Sequence, residues 1–200
     1  MERESFVDFI SRYLNEVSQI ALALDKKKID EMIDELVKVK KSHGRLFIIG
    51  VGGSAGNAGH AVNDFRKLVE LEAYSPTDNV SEITARTNDE GWETVFEGFL
   101  KISNLSNNDC LLIFSVGGGN SEKNISLNIC KAISYAKNKK TKILAIVGRE
   151  DGYAFKYADT CLLIPTVNEN HVTPHSEAFQ AIIWHLLVSH PNLNSNKTKW

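Results

Sequence analysis

Apolar residues recur at helical spacing through the first forty residues of the chain. From Glu2 to about Leu24 they fall three or four positions apart, which predicts a long amphipathic helix with these apolar positions: Phe6, Phe9, Ile10, Tyr13, Leu14, Val17, Ile20 and Leu24. A second helix is predicted from about Lys28 to Ser42, because Gly44 stands where a helix is expected to end. One sheet does not need both helices as cover, so we expect part of their apolar surface to contact another subunit.

Beyond residue 44, short apolar strands alternate with helices. Strands are predicted at Leu46 to Ile49, Val80 to Thr87, Cys110 to Ser115, Lys142 to Val147 and Thr160 to Ile164. Helices are predicted from about Asn57 to Leu71, Gly91 to Ser103, Ser121 to Lys137, in a short stretch after Gly152, and from Ser176 to Ser189. This alternation predicts an α/β fold, a doubly wound, flavodoxin-like parallel sheet of five strands with helices on both faces.

Composition favours one domain that carries its own core. A chain of 200 residues with 42% hydrophobic content buries a substantial single core, so we predict a single domain over 1–200. Within it, residues 1–43 form the oligomerisation helices, residues 44–190 form the α/β core, and residues 191–200 form a tail with little core of its own.

Charge and cysteine content exclude several classes of function. A net charge of -2 provides no basic stripe for nucleic acid. The three cysteines, which lie far apart with no CxxC spacing, indicate neither a disulfide framework nor a thiolate zinc site. The charged N-terminus has no signal-peptide core, and no apolar run approaches the ~20 residues of a membrane span. We therefore expect a cytoplasmic protein with no nucleic-acid or membrane partner.

Two glycine-rich loops follow apolar strands and lead into predicted helices. The residues of these loops that can bind an anion are Gly52, Gly53 and Ser54 in the first and Gly117, Gly118, Gly119, Asn120 and Ser121 in the second. Each loop would place backbone N–H groups and a helix N-terminus at the carboxyl edge of the sheet, where phosphate binds. Neither loop matches GxGxxG or GxxxxGKS/T, so dinucleotide or triphosphate binding is not indicated. A single glycine-rich loop is as readily a plain turn between a strand and a helix. Two such loops in equivalent positions favour an anion-binding site formed by both, which we call an anion clamp.

Histidines and carboxylates occur on two of the predicted helices. His60 and Asp64 are one turn apart on the helix after the first loop, and Glu177 and His185 lie on roughly one side of the last helix. Such a set is either a tetrahedral zinc site or a metal-free acid–base cluster, and the residues alone leave both open. His171 and His175 are rival ligands nearby.

The pair Asn88 and Asp89 follows the strand predicted at residues 80–87. These side chains either bind substrate hydroxyls or form a turn that caps the next helix. Taken alone, the pattern favours the cap.

Four segments together resemble the sugar isomerase (SIS) family, and within it the phosphoheptose isomerases: GVGGSAGNAGHAVND, RTNDEGWE, FSVGGGNSEKN and SEAFQAIIWH. The resemblance spans nearly the whole chain and includes the two N-terminal helices, which build a tetramer in that family. The chain differs from the usual family pattern in having Val51, Asp64, Glu177 and VGGGNS in place of Asn, Glu, Gln and STSGNS.

The resemblance implies a role for each matching residue. Ser54, Asn120 and Ser121 would bind the sugar phosphate, and Asp89 would lie near the substrate hydroxyls. His60, Asp64, Glu177 and His185 match the positions of a zinc site. Asp64 or Glu177 would be the base, and His185 would shuttle protons between oxygens.

The resemblance predicts an enzyme with a phosphorylated sugar as substrate. The expected reaction interconverts sedoheptulose 7-phosphate and D-glycero-D-manno-heptose 7-phosphate through an enediol, with zinc as cofactor and active sites between the subunits of a tetramer. The alternative is a SIS-fold protein that binds a phosphosugar, or assembles with a protein partner, without turnover. The altered second loop favours this alternative, and the retained His60, Asp64, Glu177 and His185 argue against it.

Overall fold

A parallel five-stranded sheet forms the centre of the computed structural model, which describes residues 6–197, with side chains from residue 8. The strands are β1 (Leu46–Ile49), β2 (Ala73–Tyr74), β3 (Cys110–Ser115), β4 (Lys142–Val147) and β5 (Thr160–Leu163). They lie in the order β2-β1-β3-β4-β5, and every neighbouring pair is parallel. The predicted doubly wound sheet is confirmed.

Eight α-helices surround this sheet in the described part of the chain. They are α1 (Phe6–Ala23), α2 (Lys26–Lys41), α3 (Gly53–Asp64), α4 (Val80–Glu90), α5 (Val95–Ile102), α6 (Leu127–Asn138), α7 (Tyr153–Tyr157) and α8 (Val172–Ser189). Helices α1, α2, α3 and α8 pack on one face, and α5, α6 and α7 pack on the other. Because β1 leads to α3 and the neighbouring β3 leads to α6, the chain turns to opposite faces between these strands, and a crevice is expected there.

The strands have continuous apolar sequences because both faces of the sheet are covered. All four residues of β1 and all six residues of β3 are buried. Alternate side chains enter the two halves of the core, so that Ile48 packs with α3 and α8 while Ile49 packs with α5 and α6.

The prediction of a strand at Val80 to Thr87 is wrong, because these residues form most of helix α4. Asn79 caps the helix by accepting a hydrogen bond from the N–H of Glu82, and Arg86 pairs with Glu82 and Glu90 one turn away on either side. These contacts outweigh the β-branched composition of the segment. The fifth strand is instead the two-residue β2, which pairs with the start of β1.

Several predicted helix boundaries also shift. Helix α3 begins at Gly53 rather than near Asn57, and α8 begins at Val172 rather than at Ser176. The helix predicted from Ser121 begins only at Leu127, because residues 121–124 form a turn closed by paired backbone hydrogen bonds between Asn120 and Ile125.

Helix α1 is attached to the core through a buried carboxylate. Glu16 Oε2 lies 2.7 Å from His171 Nδ1 and 2.8 Å from His175 Nε2, while Asn168 donates a 2.7 Å hydrogen bond to Glu16 Oε1. These hydrogen bonds lower the pKa of Glu16 from 4.5 to about 2. The bond from Asn168 has the largest effect, followed by those from His175 and His171. The residues preceding Phe6, where the first helix was predicted to begin, lie outside the described residues.

This carboxylate predicts a stability change in acid. Because its pKa is lower in the folded chain, the stabilisation by Glu16 is complete above pH 4.5 and is lost as the pH falls toward about 2. Chemical denaturation between pH 5 and about pH 2.5 is expected to show a weaker pH dependence in Glu16→Gln than in the wild type. Glu31→Gln, which alters a surface pair with Lys28, is the control. An unchanged slope in Glu16→Gln would contradict the assignment.

The C-terminal tail contributes to the core, contrary to the prediction. Leu193 is fully buried, the carbonyl of Leu68 accepts hydrogen bonds from the N–H groups of Ser195 and Asn196, and Lys40 donates to the carbonyl of Leu193. The last three residues lie outside the described residues.

None of the helices described is both long enough and apolar enough to cross a membrane.

Candidate active site

The loop between β1 and α3 is a tight turn that requires glycine. Gly52 precedes the helix with φ 63° and ψ -127°, a backbone conformation that residues with a Cβ rarely adopt. A side chain at Gly50 would collide with the carbonyl group of Ser54. The sequence therefore places the N-terminus of α3 directly after β1, at the carboxyl edge of the sheet, where backbone N–H groups attract anions.

The carboxylate of Glu177 lies at this helix N-terminus. A methyl group at Gly53 would come within 2.5 Å of Glu177 Oε2 and 2.7 Å of Oε1, so glycine leaves the space that the carboxylate occupies. Ser54, in the first turn of α3, is buried. The partial positive charge of the helix end favours this position for a carboxylate.

His60, Asp64 and His185 come together where α3 packs against α8. Asp64 Oδ2 lies 3.9 Å from His60 Nε2 and 3.8 Å from His185 Nε2, and the two imidazole rings are perpendicular with centroids 5.5 Å apart. Both histidine side chains are more than half exposed, whereas that of Asp64 is 13% exposed. The three ligand atoms lie within 4.8 Å of one another, which is close enough to hold one metal ion.

Neighbouring groups orient this cluster. His185 Nδ1 lies 2.8 Å from the carbonyl oxygen of Ala181. Because a carbonyl only accepts, Nδ1 carries the proton and Nε2 keeps its lone pair toward Asp64. Asn63 donates to Asp64 Oδ1 at 2.8 Å, which leaves Oδ2 facing both histidines. Ligands supported in this way fit a zinc-type ion.

An aromatic ring supports both histidines. Trp184 is buried, and its ring centroid lies 4.6 Å from that of His60 and 3.4 Å from that of His185. Directly after Asp64 the helix widens into a π-helical turn, Phe65–Val69, a feature often found at functional sites.

Glu177 does not join this group in the single chain. Helices α3 and α8 run parallel, since Asn57 bonds the carbonyl of Glu177 near their starts and Asp64 faces His185 farther along. The predicted four-residue set is thus divided, with Glu177 at the first glycine loop and His60, Asp64 and His185 about three turns along α3.

The second glycine loop has a different structure from the first. Gly118 and Gly119 have φ of 71° and 79°, and their carbonyls accept hydrogen bonds from the N–H groups of Ala154 and Tyr153 in α7. Asn120 Oδ1 accepts from the N–H groups of Glu122 and Lys123. The prediction that this loop leads directly into a helix N-terminus is wrong, because α6 begins at Leu127, beyond the turn that contains Ser121.

Asn88 and Asp89 lie in the last turn of α4, exposed to solvent. They bond each other through Asn88 Nδ2 and Asp89 Oδ1 at 2.8 Å. The prediction that this pair caps the next helix is wrong, because both residues lie inside α4, which ends at Glu90 and has Gly91, with φ 87°, as its C-cap. They do not join the His60 group in the single chain.

His171 and His175 belong to a second group, on the other end of α8 from His185, together with Glu16. Sequence reasoning did not single out Glu16. The available signal was its position, because Glu16 follows Tyr13 by three residues and precedes Ile20 by four, on the apolar stripe of α1.

Comparison with known proteins relates this chain to one family. The sequence profile described as SIS domain matches residues 7–148. A phosphoheptose isomerase from Helicobacter pylori strain P12 is 29% identical over 176 residues, which cover 84% of this chain and 86% of that protein. The lincomycin biosynthesis protein LmbN from Streptomyces lincolnensis is 30% identical over 154 residues, which cover 74% of this chain and 56% of LmbN.

Solved structures share the fold. The phosphoheptose isomerase GmhA from Neisseria gonorrhoeae has a TM-score of 0.81 at 20% identity, covering 92% of this chain and 97% of that one. A phosphoheptose isomerase from Francisella tularensis has a TM-score of 0.79 at 23% identity with the same coverage. The sugar isomerase domain of an RpiR transcription factor from Sphaerobacter thermophilus has a TM-score of 0.61 at 16% identity, covering 92% of this chain and 87% of that one.

Proposed function

The chain belongs to the SIS domain family, and we propose that it is a phosphosugar isomerase that interconverts sedoheptulose 7-phosphate and D-glycero-D-manno-heptose 7-phosphate. The observation that carries this proposal is the meeting of His60 and Asp64, on the helix that begins at the first glycine loop, with His185 of α8. The phosphoheptose isomerase of Helicobacter pylori, which aligns with most of both chains, supports the same reaction.

In this reaction one proton moves between carbons and another moves between oxygens. Starting from the ketose, Asp64 takes a proton from C1, His185 Nε2 accepts the proton of O1 and delivers it to O2, and Asp64 returns its proton to C2. The proximity of Asp64 Oδ2 to His185 Nε2, at 3.8 Å, favours Asp64 over Glu177 as the base. The exposed histidine faces leave the cluster open to a substrate.

We assign the zinc ion to His60, Asp64 and His185, whose nitrogen and oxygen ligands suit it, and a transferred proton and the ion would occupy His185 Nε2 in turn, not together. A bound zinc ion would polarise the carbonyl group and stabilise negative charge on the enediol oxygens. Glu177, when supplied by a neighbouring protomer, is the fourth ligand in this proposal. Asn63 and the carbonyl of Ala181 hold the Asp64 and His185 side chains of this site in place.

The substrate phosphate is assigned to Gly52, Gly53 and Ser54, with Gly117 to Ser121 of the second loop as the other side of the clamp and Asn88 and Asp89 near the sugar hydroxyls. Ser54 and Asp64 are ten residues apart on α3, which corresponds to about 15 Å along the axis. This span exceeds the distance from C2 to the phosphate of a seven-carbon sugar. We propose that the phosphate loop and the proton-transfer group acting on one substrate come from different protomers.

A shared site requires an oligomer, and we propose a homotetramer. Its contacts include the apolar side chains that α1 and α8 expose: Phe9, Ile10, Leu14, Leu22, Ile182 and Leu186. Four chains of 22.3 kDa give a mass of about 89 kDa.

Light scattering is expected to report the tetramer mass for the wild type and a smaller mass for Leu14→Glu, which places a charge on the exposed side of α1. Asn138→Glu, at an exposed position of α6 on the opposite face of the sheet, is the control that should leave the mass unchanged. A monomeric wild-type protein at micromolar concentration would refute the shared site.

The enzymatic proposal is tested by incubating the purified protein with sedoheptulose 7-phosphate, before and after removal of metal with a chelator. We expect aldose 7-phosphate to form, activity to fall at least tenfold on chelation, and zinc to restore it. The absence of aldose formation at every metal content would end the proposal.

A binding protein without turnover is the second candidate. The second loop favours it, because the N–H groups of Gly118 and Asn120 already donate to Ser115 Oγ and to the carbonyl of Ile125, which alters the phosphate site that turnover would use. Tight binding of sedoheptulose 7-phosphate without product formation in the same assay would select this candidate.

A further inference from the structure

The cluster of Glu16, His171 and His175 lies outside the proposed active site. Both imidazoles face the same carboxylate oxygen, Glu16 Oε2, at 2.7 and 2.8 Å. We propose that these three residues form a second metal site, which binds a divalent transition metal ion such as Zn²⁺ or Co²⁺ between α1 and α8. The proposal is independent of the function assigned to the His60 group.

Both imidazole nitrogens converge on one carboxylate oxygen, an arrangement in which one cation could replace both hydrogen bonds. A carboxylate that only anchored two histidines could accept one hydrogen bond at each oxygen. Here the other oxygen, Oε1, is held by the Asn168 amide at 2.7 Å. An outer hydrogen bond that fixes one carboxylate oxygen, while the other faces two imidazole nitrogens, is the arrangement that supports metal ligands.

The three ligand atoms also have the chemistry that zinc and related metal ions prefer. Two imidazole nitrogens and one carboxylate oxygen form a recurring set for zinc and related ions, with further positions left for water. His171 and His175 are four residues apart, so that successive turns at the start of α8 present both rings to α1. The three ligand atoms lie within 4.8 Å of one another.

Only a small movement is needed to admit the ion. Ligand atoms bound at about 2.1 Å in tetrahedral geometry are about 3.4 Å apart, so the two histidine nitrogens would move away from Glu16 Oε2 by about 0.6–0.7 Å. The metal would take the place of the hydrogen bonds at this oxygen, and in a neutral imidazole the proton would then lie on the ring nitrogen that does not bind the metal. His175 is 3% exposed but His171 is 17% exposed, so entry is from the side of His171.

A metal at this site would stabilise the fold and the subunit contacts, and it would take no part in the reaction. Its ligands come from α1 and from the start of α8, and α1 also exposes Ile10 and Leu14 to solvent. A metal bound here would fix α1 to the core and thereby stabilise the surface that we assign to subunit contacts.

The test uses the full chain with the first metal group removed. His60→Ala/His185→Ala protein, stripped with chelator, is titrated with Co²⁺ while bound metal, visible absorption and thermal unfolding are recorded. We expect one equivalent to bind and Tm to rise by about 5–10 °C at a hundredfold excess over the dissociation constant. Adding Glu16→Gln should weaken binding at least tenfold, whereas adding His43→Gln, at an exposed histidine outside both groups, should not.

Each outcome decides the proposal. If His60→Ala/His185→Ala binds no Co²⁺, Glu16 is a hydrogen-bonded anchor only and the proposal is overturned. If the wild type binds one equivalent that this double variant retains, the Glu16 site stands and the zinc assignment at His60 fails. His171→Gln, at the more exposed ligand, replaces Glu16→Gln should the latter not fold, and retained tight binding in it would also overturn the site.

Discussion

Replacing Asp64 with Asn is expected to lower kcat for the isomerisation about 1,000-fold, because the amide cannot accept the proton from carbon. Asn is nearly the same size as Asp, so the packing where α3 meets α8 should persist. Both His60 and His185 face the lost carboxylate oxygen, and metal binding should weaken as well. The measurement is steady-state kinetics with sedoheptulose 7-phosphate, combined with bound-metal analysis.

Two further variants sharpen this prediction. Asp30→Asn, at an exposed position of α2, should keep wild-type activity. Asp64→Glu keeps a carboxylate one methylene farther from the helix and should retain far more activity than Asp64→Asn. Wild-type kcat in Asp64→Asn would show that another group, with Glu177 as the first candidate, is the base.

Replacing Trp184 with Ala is expected to reduce the free energy of unfolding by about 3–5 kcal/mol, the range for removal of a large buried aromatic side chain. The ring is 1% exposed and packs with both His60 and His185. Denaturant unfolding measures the loss. Trp92→Ala, at a 41% exposed tryptophan in the described chain, is the matched control and should cost much less.

Metal affinity distinguishes a role of Trp184 in positioning the two histidines from a role in stability alone. Trp184→Phe keeps an aromatic ring beneath the two histidines and should preserve most of the metal affinity, which Trp184→Ala should reduce. Equal metal affinity in the three proteins would show that Trp184 does not position the histidines.

The sequence predicted the parts of the fold that depend on local pattern. The continuous apolar strands, the first glycine turn and the spacing of His60 and Asp64 each follow from neighbours in the chain. The site could be predicted only in halves, because no local pattern tells how α3 and α8 pack. Their parallel arrangement brings Asp64 to His185 and leaves Glu177 at Gly53.

The errors arose where side-chain contacts compete with intrinsic preference. The segment after Asn79 has strand-like composition, but a cap and the ion pairs of Arg86 make it helical. The second loop resembled the first in glycine content, yet hydrogen bonds from α7 hold it and α6 begins later. Glu16 was missed because its partners follow it by more than 150 residues.

The meeting of α3 with α8 also has a consequence during protein synthesis. Asp64 and His185 are separated by about 120 residues, so their encounter closes a long loop. A nascent chain still attached to the ribosome has His60 and Asp64 in place long before the last helix emerges. Incomplete chains therefore carry only a weak two-ligand fragment of the proposed zinc site, and its full affinity for metal arises only when translation is finished and the last helix has docked.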